Sequence, residues 1–431
     1  MLDVKFIKEN VDMVKQNIIK RNMVCDIDQL LELHNKIAEV QQAIESLNAE
    51  SNANNKAVQK AKTSAERAEL IERGKKAKED LPKLKEQLEA LLPEFNEIML
   101  TVPNIMAEDT PVGKNEELNV EVESFLAPTK FDFQPRNHIE LGEISDLFDF
   151  EAGAKVAGTK FYYLKNEAVM LDLALQMYII QKLVKKGYTP LVTPDLAKSS
   201  ILQGSGFNPR GNESNIYNIE GTDLSLIATA EITIGGMLSD TVLNISELPK
   251  KYVAFSHCFR TEAGGGGRAG YGLYRVHQFS KVEMYQFVCN EDGEKALQEM
   301  LGVEKEIFSD LGIPYRVVRI CSGDMGAPAY KKYDIEAWMP GKGENGEYGE
   351  VTSVGNFTNF QSRRLNIKYI DENGKRQFVT TLNGTASATG RTMLAILENF
   401  QDKNGNVKIP KVLIPFTGFD VIKPKTDSIL T

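Results

Sequence analysis

Apolar residues recur at alternating steps of three and four along two stretches near the N-terminus. Such a repeat is the apolar seam of a coiled coil, in which each helix presents one stripe to its partner. Between the two stretches the seam becomes polar, in the sequence AESNANNKAVQKAKTSAER. A chain that loses its seam and regains it reverses direction, so we predict a long antiparallel helical hairpin over about 27–98. The seam positions are Leu30, Leu33, Ile37, Val40, Ile44 and Leu47, then Leu70, Gly74, Ala77, Leu81, Leu84, Leu88, Leu91, Phe95 and Ile98.

Two prolines, Pro82 and Pro93, lie inside the second of these predicted helices. An interior proline removes a backbone hydrogen bond and costs about 3 kcal/mol. Because both prolines lie off the apolar seam, we expect the helix to tolerate them by bending toward solvent.

The tip of the predicted hairpin is basic. Eight cations and three anions lie between residues 56 and 78, a balance of +5 in a chain of net charge −9. Charge runs usually form a solvated helix face, but clustered Lys and Arg also bind phosphate backbones by releasing counterions. The sequence pattern leaves both interpretations open. The cations are Lys56, Lys60, Lys62, Arg67, Arg73, Lys75, Lys76 and Lys78.

The pattern changes after the hairpin. Residues 106–130 carry prolines and acids with weak periodicity, which predicts a linker. From 131 onward, EAVMLDLALQMYIIQKLVKKG, EKALQEMLGVEKEIFSDLG and GRTMLAILENFQ are typical of helices, whereas KYVAFSHCFRTE, YRVHQFSKVEMYQFVC and GEVTSVGNFTNFQSRRLNIKYI are typical of strands. The last of these segments carries a turn signal that divides it, so the strands outnumber the helices and follow one another as hairpins, which predicts an α+β domain whose mainly antiparallel sheet is flanked by helices.

Composition narrows the classes of protein that fit. A length of 431 residues predicts two or three domains, and 42% hydrophobic with 26% charged residues is ordinary for a globular protein. The sequence has no long apolar run and no apolar signal core near Met1, so we expect neither a membrane span nor secretion, but a cytoplasmic protein. The four cysteines and four histidines form no metal-binding spacing, which predicts reduced thiols and no zinc site.

A glycine-rich stretch, CFRTEAGGGGRAGYG, occupies residues 258–272. Gly265, Gly267 and Gly270 formally match a dinucleotide-binding fingerprint, but that fingerprint needs a helix directly after it. The following segment is strand-like, so we interpret the match as coincidental and the glycines as a mobile loop closing a β-hairpin.

The residues beside these glycines are the stronger signal. Arg260 and Glu262 are two apart on one predicted strand, and His277, Lys281 and Glu283 share a face of the next. These charges suit structural salt bridges. Placed beside a glycine loop that can approach a ligand, they also suit a site for a molecule that carries both anionic and cationic groups.

The same stretch, CFRTEAG followed by GLYRVHQFSKVEMYQ, closely resembles motif 2 of class II aminoacyl-tRNA synthetases, and within them the seryl-tRNA synthetases. The basic-tipped hairpin is similar to that family's tRNA-binding arm. The resemblance covers essentially the whole chain, with the motifs in the expected order. The other matching segments are GYTPLVTPDL (187–196, motif 1, with Pro194), LIATAEITI (226–234), GEVTSVGNFTNFQSRR (349–364) and TLNGTASATGRTMLAILENFQ (381–401, motif 3, with Arg391).

The resemblance implies an organisation and a reaction. It implies an N-terminal tRNA-binding arm over 1–105, the linker over 106–130 and a catalytic domain over 131–431. The reaction is activation of serine by ATP to seryl-adenylate, followed by transfer to the terminal adenosine of serine tRNA, with selenocysteine tRNA as a further candidate acceptor. Because motif 1 builds a dimer interface in this class, the resemblance also implies a homodimer.

The resemblance assigns an ATP site with Mg²⁺. Arg260 would hold the α-phosphate and the serine carboxylate, Arg391 the γ-phosphate, and Glu262 the adenine amine. Glu350 and Ser353 would bind Mg²⁺ through oxygen ligands. The full implied ATP set is Arg260, Thr261, Glu262, Val276, Glu350, Val351, Thr352, Ser353 and Arg391.

The resemblance also assigns a serine site and a tRNA site. Carboxylates and hydroxyls would read the ammonium and hydroxyl of serine, and the eight basic tip residues from Lys56 to Lys78 would contact tRNA. The implied serine set is Thr229, Ala230, Glu231, Arg260, Glu283, Asn383 and Thr385.

Some positions depart from the family pattern. Asn383-Gly384-Thr385-Ala386 stands where Asn-Gly-Ser-Gly is common, Thr352 and Gly355 stand where serines are usual, and the loop over Gly264–Gly267 lacks bulkier residues. None of these changes removes a charged group that the chemistry needs, so we expect an active enzyme. The alternatives are an inactive paralogue, an enzyme that loads a carrier protein, and another class II synthetase such as a threonyl or prolyl enzyme.

Overall fold

The structure is a computed structural model that describes residues 1–207, 215–262 and 272–425. It divides into two compact units, Met1–Pro103 and Asn104–Thr431. Within the described residues, no helix is long and apolar enough to cross a membrane.

The first unit is helical. Its elements are α1 (Val4–Glu9), α2 (Val11–Lys20), α3 (Ile27–Lys60) and α4 (Ser64–Thr101). Helices α3 and α4 pack antiparallel, since Gln29 donates to Glu94 near one end and Asn54 donates to the Leu70 carbonyl near the other. The long helical hairpin that the seam predicted is therefore present.

The residues of the predicted seam are buried or half-buried in the two long helices. Leu30, Leu33 and Ile37 are buried, and every seam position that was predicted in the second stretch is at least half-buried. Helix α4 continues through Pro82 and Pro93, and both prolines are exposed. Each proline ring therefore faces solvent and leaves the contact between the helices intact.

The second unit is built on one large sheet. Its helices are α5 (His138–Ser145), α6 (Phe150–Ala157), α7 (Glu167–Lys185), α8 (Ser199–Ser205), α9 (Ala230–Met237), α10 (Gly293–Leu311), α11 (Phe360–Arg364), α12 (Thr389–Asn399) and α13 (Ile414–Thr417). Its strands are β1 (Val120–Phe125), β2 (Phe148–Asp149), β3 (Tyr163–Leu164), β4 (Thr189–Val192), β5 (Leu196–Lys198), β6 (Leu224–Leu226), β7 (Val242–Asn244), β8 (Lys250–Phe259), β9 (Gln278–Val288), β10 (Tyr315–Arg319), β11 (Lys331–Met339), β12 (Glu347–Asn356), β13 (Lys368–Ile370), β14 (Arg376–Phe378), β15 (Thr380–Ala388), β16 (Val407–Lys408) and β17 (Val421–Ile422).

Among the described residues, eight strands form this sheet in the order β1-β10-β11-β12-β15-β9-β8-β4. Neighbouring strands are antiparallel except β4 and β8, which run parallel. Helices α7, α10 and α12 pack on the sheet, and their apolar residues form its main core. The α+β class and the mainly antiparallel sheet are thus confirmed.

The segment that we predicted as a linker, 106–130, contributes an edge strand. Strand β1 pairs antiparallel with β10, from Val120 opposite Arg319 to Phe125 opposite Tyr315. Its side chains are mostly exposed. Because burial does not impose a period on such a strand, the sequence pattern alone did not reveal it.

The stretch GEVTSVGNFTNFQSRRLNIKYI also differs from its predicted strand character. Strand β12 ends at Asn356, and Phe360–Arg364 form the short helix α11. Helix α11 buries Phe360 and Gln361 against the sheet, so tertiary packing overrides the local preference for strand.

Candidate active site

The β8–β9 hairpin places Arg260 directly after the last residue of β8, next to the start of β9. Strands β8 and β9 pair as far as Phe259 opposite Gln278. One step further, the Arg260 N–H donates to the His277 carbonyl at 2.9 Å, and His277 Nδ1 lies 2.9 Å from the Arg260 carbonyl oxygen. The Arg260 guanidinium carbon lies 5.2 Å from the centre of the Phe279 ring. The backbone of Arg260 is therefore held by the hairpin, while its charged group lies over an aromatic ring.

A cavity opens beside this hairpin and gathers most of the predicted ATP-binding residues. It brings the stem residues Arg260 and Glu262 together with Arg391 of α12. Thr261 and Ser353 are not among the lining residues; the Thr261 N–H donates to the Asn215 carbonyl at 3.2 Å. The lining residues are Arg260, Glu262, Leu273, Tyr274, Arg275, Val276, Phe279, Lys281, Glu350, Val351, Thr352, Thr385, Ala388, Gly390 and Arg391.

Arg391 is held at three points on the cavity wall. Its Nη1 donates to Glu350 Oε2 at 3.1 Å and to the Glu350 carbonyl at 3.0 Å, and its Nε donates to the Tyr274 carbonyl at 3.1 Å. The guanidinium also stacks 4.5 Å from the Tyr274 ring centre. Burial opposes ionisation of Glu350, but Arg391 and Lys332 outweigh it and hold the Glu350 pKa below its usual value. Arg391 and Glu350 are thus both charged and already oriented.

Glu262 has a partner that sequence reasoning missed. Arg275 Nη1 donates to Glu262 Oε2 at 3.0 Å. The Glu262 side chain is 9% exposed, whereas that of Arg275 is 39% exposed. The arginine therefore covers a nearly buried carboxylate at the mouth of the cavity. The signal was available, because Arg275 lies on the predicted return strand two residues before His277.

A bulge brings Glu350 and Ser353 onto the same face of β12. Residues three apart on a regular strand face opposite sides. Here Glu350 pairs with Glu336 and Ser353 with Asp334, and the register shifts between them. Since Glu336 and Asp334 are two apart on β11, the extra residue of the bulge places both predicted metal ligands on one side.

These two oxygens fit Mg²⁺ as part of a shared ligand set. Mg²⁺ prefers oxygen ligands and takes one or two protein groups with waters and substrate phosphates. Glu350 offers an ionised carboxylate, and Ser353 a hydroxyl. In the part of the chain that the structure describes, no group of three or more His, Cys, Asp or Glu side chains is gathered as a metal site. A protein cage that binds the ion without substrate oxygens is therefore not the arrangement seen.

The predicted serine-binding residues of β9 and β15 face one another. Glu283 lies opposite Thr385, whose hydroxyl donates to Glu283 Oε2 at 3.3 Å. Lys281, two residues away on the same face, forms an ion pair with Glu283. Asn383 is buried two residues before Thr385, and its Nδ2 has no partner among the described residues. A buried donor without a partner is costly unless a ligand satisfies it.

A second carboxylate approaches the same region from helix α9. Thr229 caps this helix, accepting from the Glu231 N–H at 3.3 Å, and Ala230 is its first residue. Gln361 Nε2 donates to Glu231 Oε1 at 2.6 Å, and Tyr285 and Thr381 donate to the other end of the same amide. Burial and the nearby Glu283 raise the Glu231 pKa to about 7. The helix cap and the Gln361 amide together fix the position of the Glu231 carboxyl, which changes its protonation state near neutral pH.

A buried acid behind the site was also missed by sequence reasoning. Glu304 of α10 is fully buried and accepts from the Thr352 hydroxyl at 2.9 Å. Burial raises its pKa well above the usual value. The signal was an acid at a core position of an amphipathic helix, between the buried Val303 and Ile307. Glu304 anchors the strand that carries Thr352 from the side opposite the cavity.

The basic residues of the hairpin tip lie in the other unit and are all exposed. Arg73 pairs with Glu69 at 2.6 Å and Lys75 with Glu72 at 3.3 Å, each within one turn of α4. Exposed pairs of this kind contribute little to stability and leave the cations accessible. The glycine loop, including Gly265, Gly267 and Gly270, lies outside the described residues.

Family models match both units. The tRNA synthetase class II core domain (G, H, P, S and T) matches residues 216–400, and the Seryl-tRNA synthetase N-terminal domain matches residues 1–106. The second match covers the helical hairpin, and the first covers all of the cavity-lining residues.

Curated relatives and solved structures agree with these models. The chain is 49% identical to a serine–tRNA ligase of Treponema denticola, over 98% of this chain and 100% of the relative. It is 51% identical to that of Borrelia recurrentis, over 99% and 100%. A seryl-tRNA synthetase of Pyrococcus horikoshii complexed with ATP superimposes with a TM-score of 0.91 at 37% identity, covering 99% of this chain and 100% of that one. The chain therefore belongs to the seryl-tRNA synthetase family of class II aminoacyl-tRNA synthetases.

Proposed function

We propose that the protein ligates serine to its tRNA in two steps, both at the described cavity. The observation that carries this proposal is the convergence of Arg260, Arg391 and Glu350 on one cavity, next to the Glu283–Thr385 pair. Anion-binding and cation-binding groups lie side by side there, as joining ATP to an amino acid requires. Neither step needs a covalent enzyme intermediate, so these residues position charge.

In the first step the serine carboxylate attacks the α-phosphate, giving seryl-adenylate and pyrophosphate. Arg260 lies between the two anions and lowers their repulsion, because a guanidinium keeps its charge and contacts both through its fork. Arg391 receives the γ-phosphate at the far end of the cavity. Glu262 accepts from the adenine amine, while Val276, Val351 and Thr352 form the surrounding wall and Thr261 lies behind it, next to Glu262 in the chain.

Glu350 and Ser353 hold Mg²⁺ in this proposal. The ion would neutralise charge on the ATP phosphates and orient them for attack. In the structure the Glu350 carboxylate forms an ion pair with Arg391, with 3.1 Å between Glu350 Oε2 and Arg391 Nη1. When ATP enters, the γ-phosphate takes over Arg391 and frees the Glu350 carboxylate.

The amino acid is recognised by its ammonium and hydroxyl groups. Glu231 and Glu283 receive the ammonium, and Thr229, Thr385 and Asn383 complete the pocket with Ala230. Glycine and alanine cannot satisfy the groups that meet the serine hydroxyl, so buried polar atoms stay unpaired and the reaction slows. The methyl group of Thr385 narrows the pocket, which supports exclusion of threonine by shape.

In the second step a hydroxyl of the terminal adenosine takes the seryl group, and the hairpin positions the tRNA. The exposed cations of the hairpin tip support a contact with the sugar–phosphate backbone, in the long variable arm of serine tRNA, and in selenocysteine tRNA where that substrate is present. We assign this role to an arm over 1–105; segment 106–130 joins it to a catalytic domain over 131–431 and adds strand β1 to the edge of that domain's sheet.

We also propose a homodimer in the cytoplasm. Helix α7, which ends just before motif 1, exposes Val169, Met170, Leu173 and Met177, and strand β4, within motif 1, exposes Val192. Apolar side chains grouped on one element support an interface between copies of the chain. Sedimentation measures this directly: we expect a dimer, and a monomer at micromolar concentration contradicts it.

The reaction is tested by aminoacylation. We expect purified protein to attach radiolabelled serine to tRNA in a reaction that requires both ATP and Mg²⁺. Absence of labelled tRNA from a folded preparation, with serine tRNA verified by a known synthetase, contradicts the proposal.

A further inference from the structure

A buried histidine connects three segments around the cavity. His138 is the first residue of α5 and is 7% exposed. Its N–H donates to Glu398 Oε1 at 3.0 Å, and its ring Nδ1 lies 2.9 Å from the same oxygen. Glu398 Oε2 accepts from the Gly341 N–H at 2.8 Å. The buried carboxylate is therefore satisfied by donors from two other segments.

This arrangement fixes the proton on the ring. A carboxylate accepts, so Nδ1 must donate and carry the hydrogen. Nε2 then presents a lone pair, and the Leu273 N–H donates to it at 3.2 Å. The ring thus carries a hydrogen-bond chain from Glu398 to the main chain at Leu273.

The backbone comes as close to this ring as glycine allows. Gly272 has a φ of +66°, and a Cβ placed on it would lie 2.1 Å from His138 Nε2. No side chain fits at that distance. The contact between the ring and the main chain is therefore built into the local sequence at 272–273.

The residues that follow Leu273 form a wall of the cavity. The Tyr274 carbonyl accepts from Arg391 Nε at 3.1 Å, and Arg275 pairs with Glu262. Leu273, Tyr274, Arg275 and Val276 all line the cavity. A shift of the main chain at Leu273 would move the partners of both Arg391 and Glu262.

We infer that His138, oriented by Glu398, is a positioning residue for the nucleotide: it holds Leu273–Val276 where Arg391 and Glu262 need them. The role in catalysis rests on the proposed use of this cavity for ATP. Glu398 lies seven residues after Arg391 on α12, two turns along the same helix. The histidine therefore connects the helix that carries Arg391 to the main chain that Arg391 contacts.

Two substitutions separate the two hydrogen bonds of the ring. In His138→Gln the side-chain oxygen reaches about as far as Nε2 and can still accept from Leu273. In His138→Asn the side-chain amide lies about where Nδ1 lies, so it still donates to Glu398 but leaves Leu273 without an acceptor. The inference predicts that the asparagine variant is the more damaged of this matched pair.

The test measures KM for ATP and for serine in pyrophosphate exchange, with melting temperature. Loss of one buried hydrogen bond corresponds to about a tenfold effect. We expect His138→Asn to raise KM for ATP about tenfold while KM for serine changes less than twofold, and His138→Gln to stay within about threefold of wild type. Equal KM values for ATP in both variants, whatever their melting temperatures, overturn the inference. If His138→Asn does not fold, a tenfold rise in His138→Gln overturns it instead.

Hydrogen exchange followed by mass spectrometry gives a second measurement that needs no activity. We expect the peptide containing 272–276 to exchange faster in His138→Asn than in wild type or His138→Gln, without ligand. Unchanged exchange in all three contradicts the anchoring contact. If the wild-type protein shows no serine-dependent pyrophosphate exchange, the proposed function fails. The hydrogen-exchange result still decides whether His138 holds this segment.

Discussion

The helical hairpin and the sheet-built cavity both concentrate charge, but they hold it differently. In the hairpin tip, cations such as Arg73 and Lys75 are exposed, and each pairs with a glutamate one turn away. In the cavity, Arg391 is fixed by Glu350 and by the Tyr274 carbonyl, and Glu283 is buried between Lys281 and Thr385. The hairpin therefore presents independent charges, whereas the cavity presents an interlocked set.

This difference predicts how each region responds to substitution. Water screens the exposed charges, so their effects are small, sum nearly independently and weaken with salt. In the cavity the groups share partners, so removing one leaves another unpaired and the effects are large and coupled.

The largest effect is expected at Arg260. We predict that Arg260→Ala lowers kcat/KM for serine-dependent pyrophosphate exchange by about 10³-fold, because the charge between the two reacting anions is lost. The matched control is Arg73→Ala in the hairpin, for which exchange stays within about twofold of wild type. Comparable losses in both variants would erase the distinction between the two regions.

The next largest effect is expected in the hairpin, where substitutions should impair tRNA charging but not pyrophosphate exchange. Replacing Lys75, Lys76 and Lys78 with Ala removes three cations that we assign to the tRNA backbone. We expect KM for tRNA to rise about tenfold or more at low salt, with a shallower salt dependence. Pyrophosphate exchange should remain near the wild-type rate, and the triple Lys→Arg variant should restore charging. A parallel fall in exchange and charging contradicts a separate role for the hairpin.

The pH dependence of KM for serine tests whether the Glu231 carboxylate contacts the serine ammonium. Burial and Glu283 raise its pKa to about 7, so the carboxyl is ionised above that pH and becomes neutral below it. A neutral carboxyl attracts the serine ammonium less, so KM for serine should rise as the pH falls, by up to about tenfold per unit below 7. Glu231→Gln should flatten this profile. A wild-type KM for serine that stays constant between pH 8 and 6 excludes Glu231 as an ammonium contact.

The smallest predicted effect is the coupling between Arg391 and Glu350. We expect the loss of kcat/KM in the Arg391→Met, Glu350→Gln double variant to be about fivefold smaller than the product of the single losses, because each single change strands the other charge. The exposed Arg73–Glu69 pair serves as the control, in a double-mutant cycle in which the rate of tRNA charging is measured. Coupling of equal size in both pairs would mean that the cavity charges act no more cooperatively than surface charges.

Much of this organisation could be predicted from local pattern. The hairpin seam repeats over many residues, so each position supports the next, and the β8–β9 hairpin carries strong strand formers on both sides of the glycines. Motif resemblance located Arg260, Glu350 and Arg391, which the structure brings to one cavity.

Other features depend on partners that are distant in sequence. The bulge that aligns Glu350 with Ser353 is set by the register with β11, and β1 becomes a strand only because β10 offers an edge. His138 meets Leu273 across a separation of 135 residues. No local period encodes such contacts, because each is decided when the sheet and its helices pack together.

The central claim is that this cavity activates serine, and an amino-acid panel in pyrophosphate exchange tests it most directly. Purified protein is given ATP, Mg²⁺ and one amino acid at a time, with serine, threonine, alanine and glycine compared at equal concentration. We predict rapid exchange with serine and rates at least about 10²-fold lower with the other three, because only serine pairs the buried polar groups without adding a methyl. Exchange with threonine or alanine at a rate equal to that with serine, or no exchange with serine, contradicts the account.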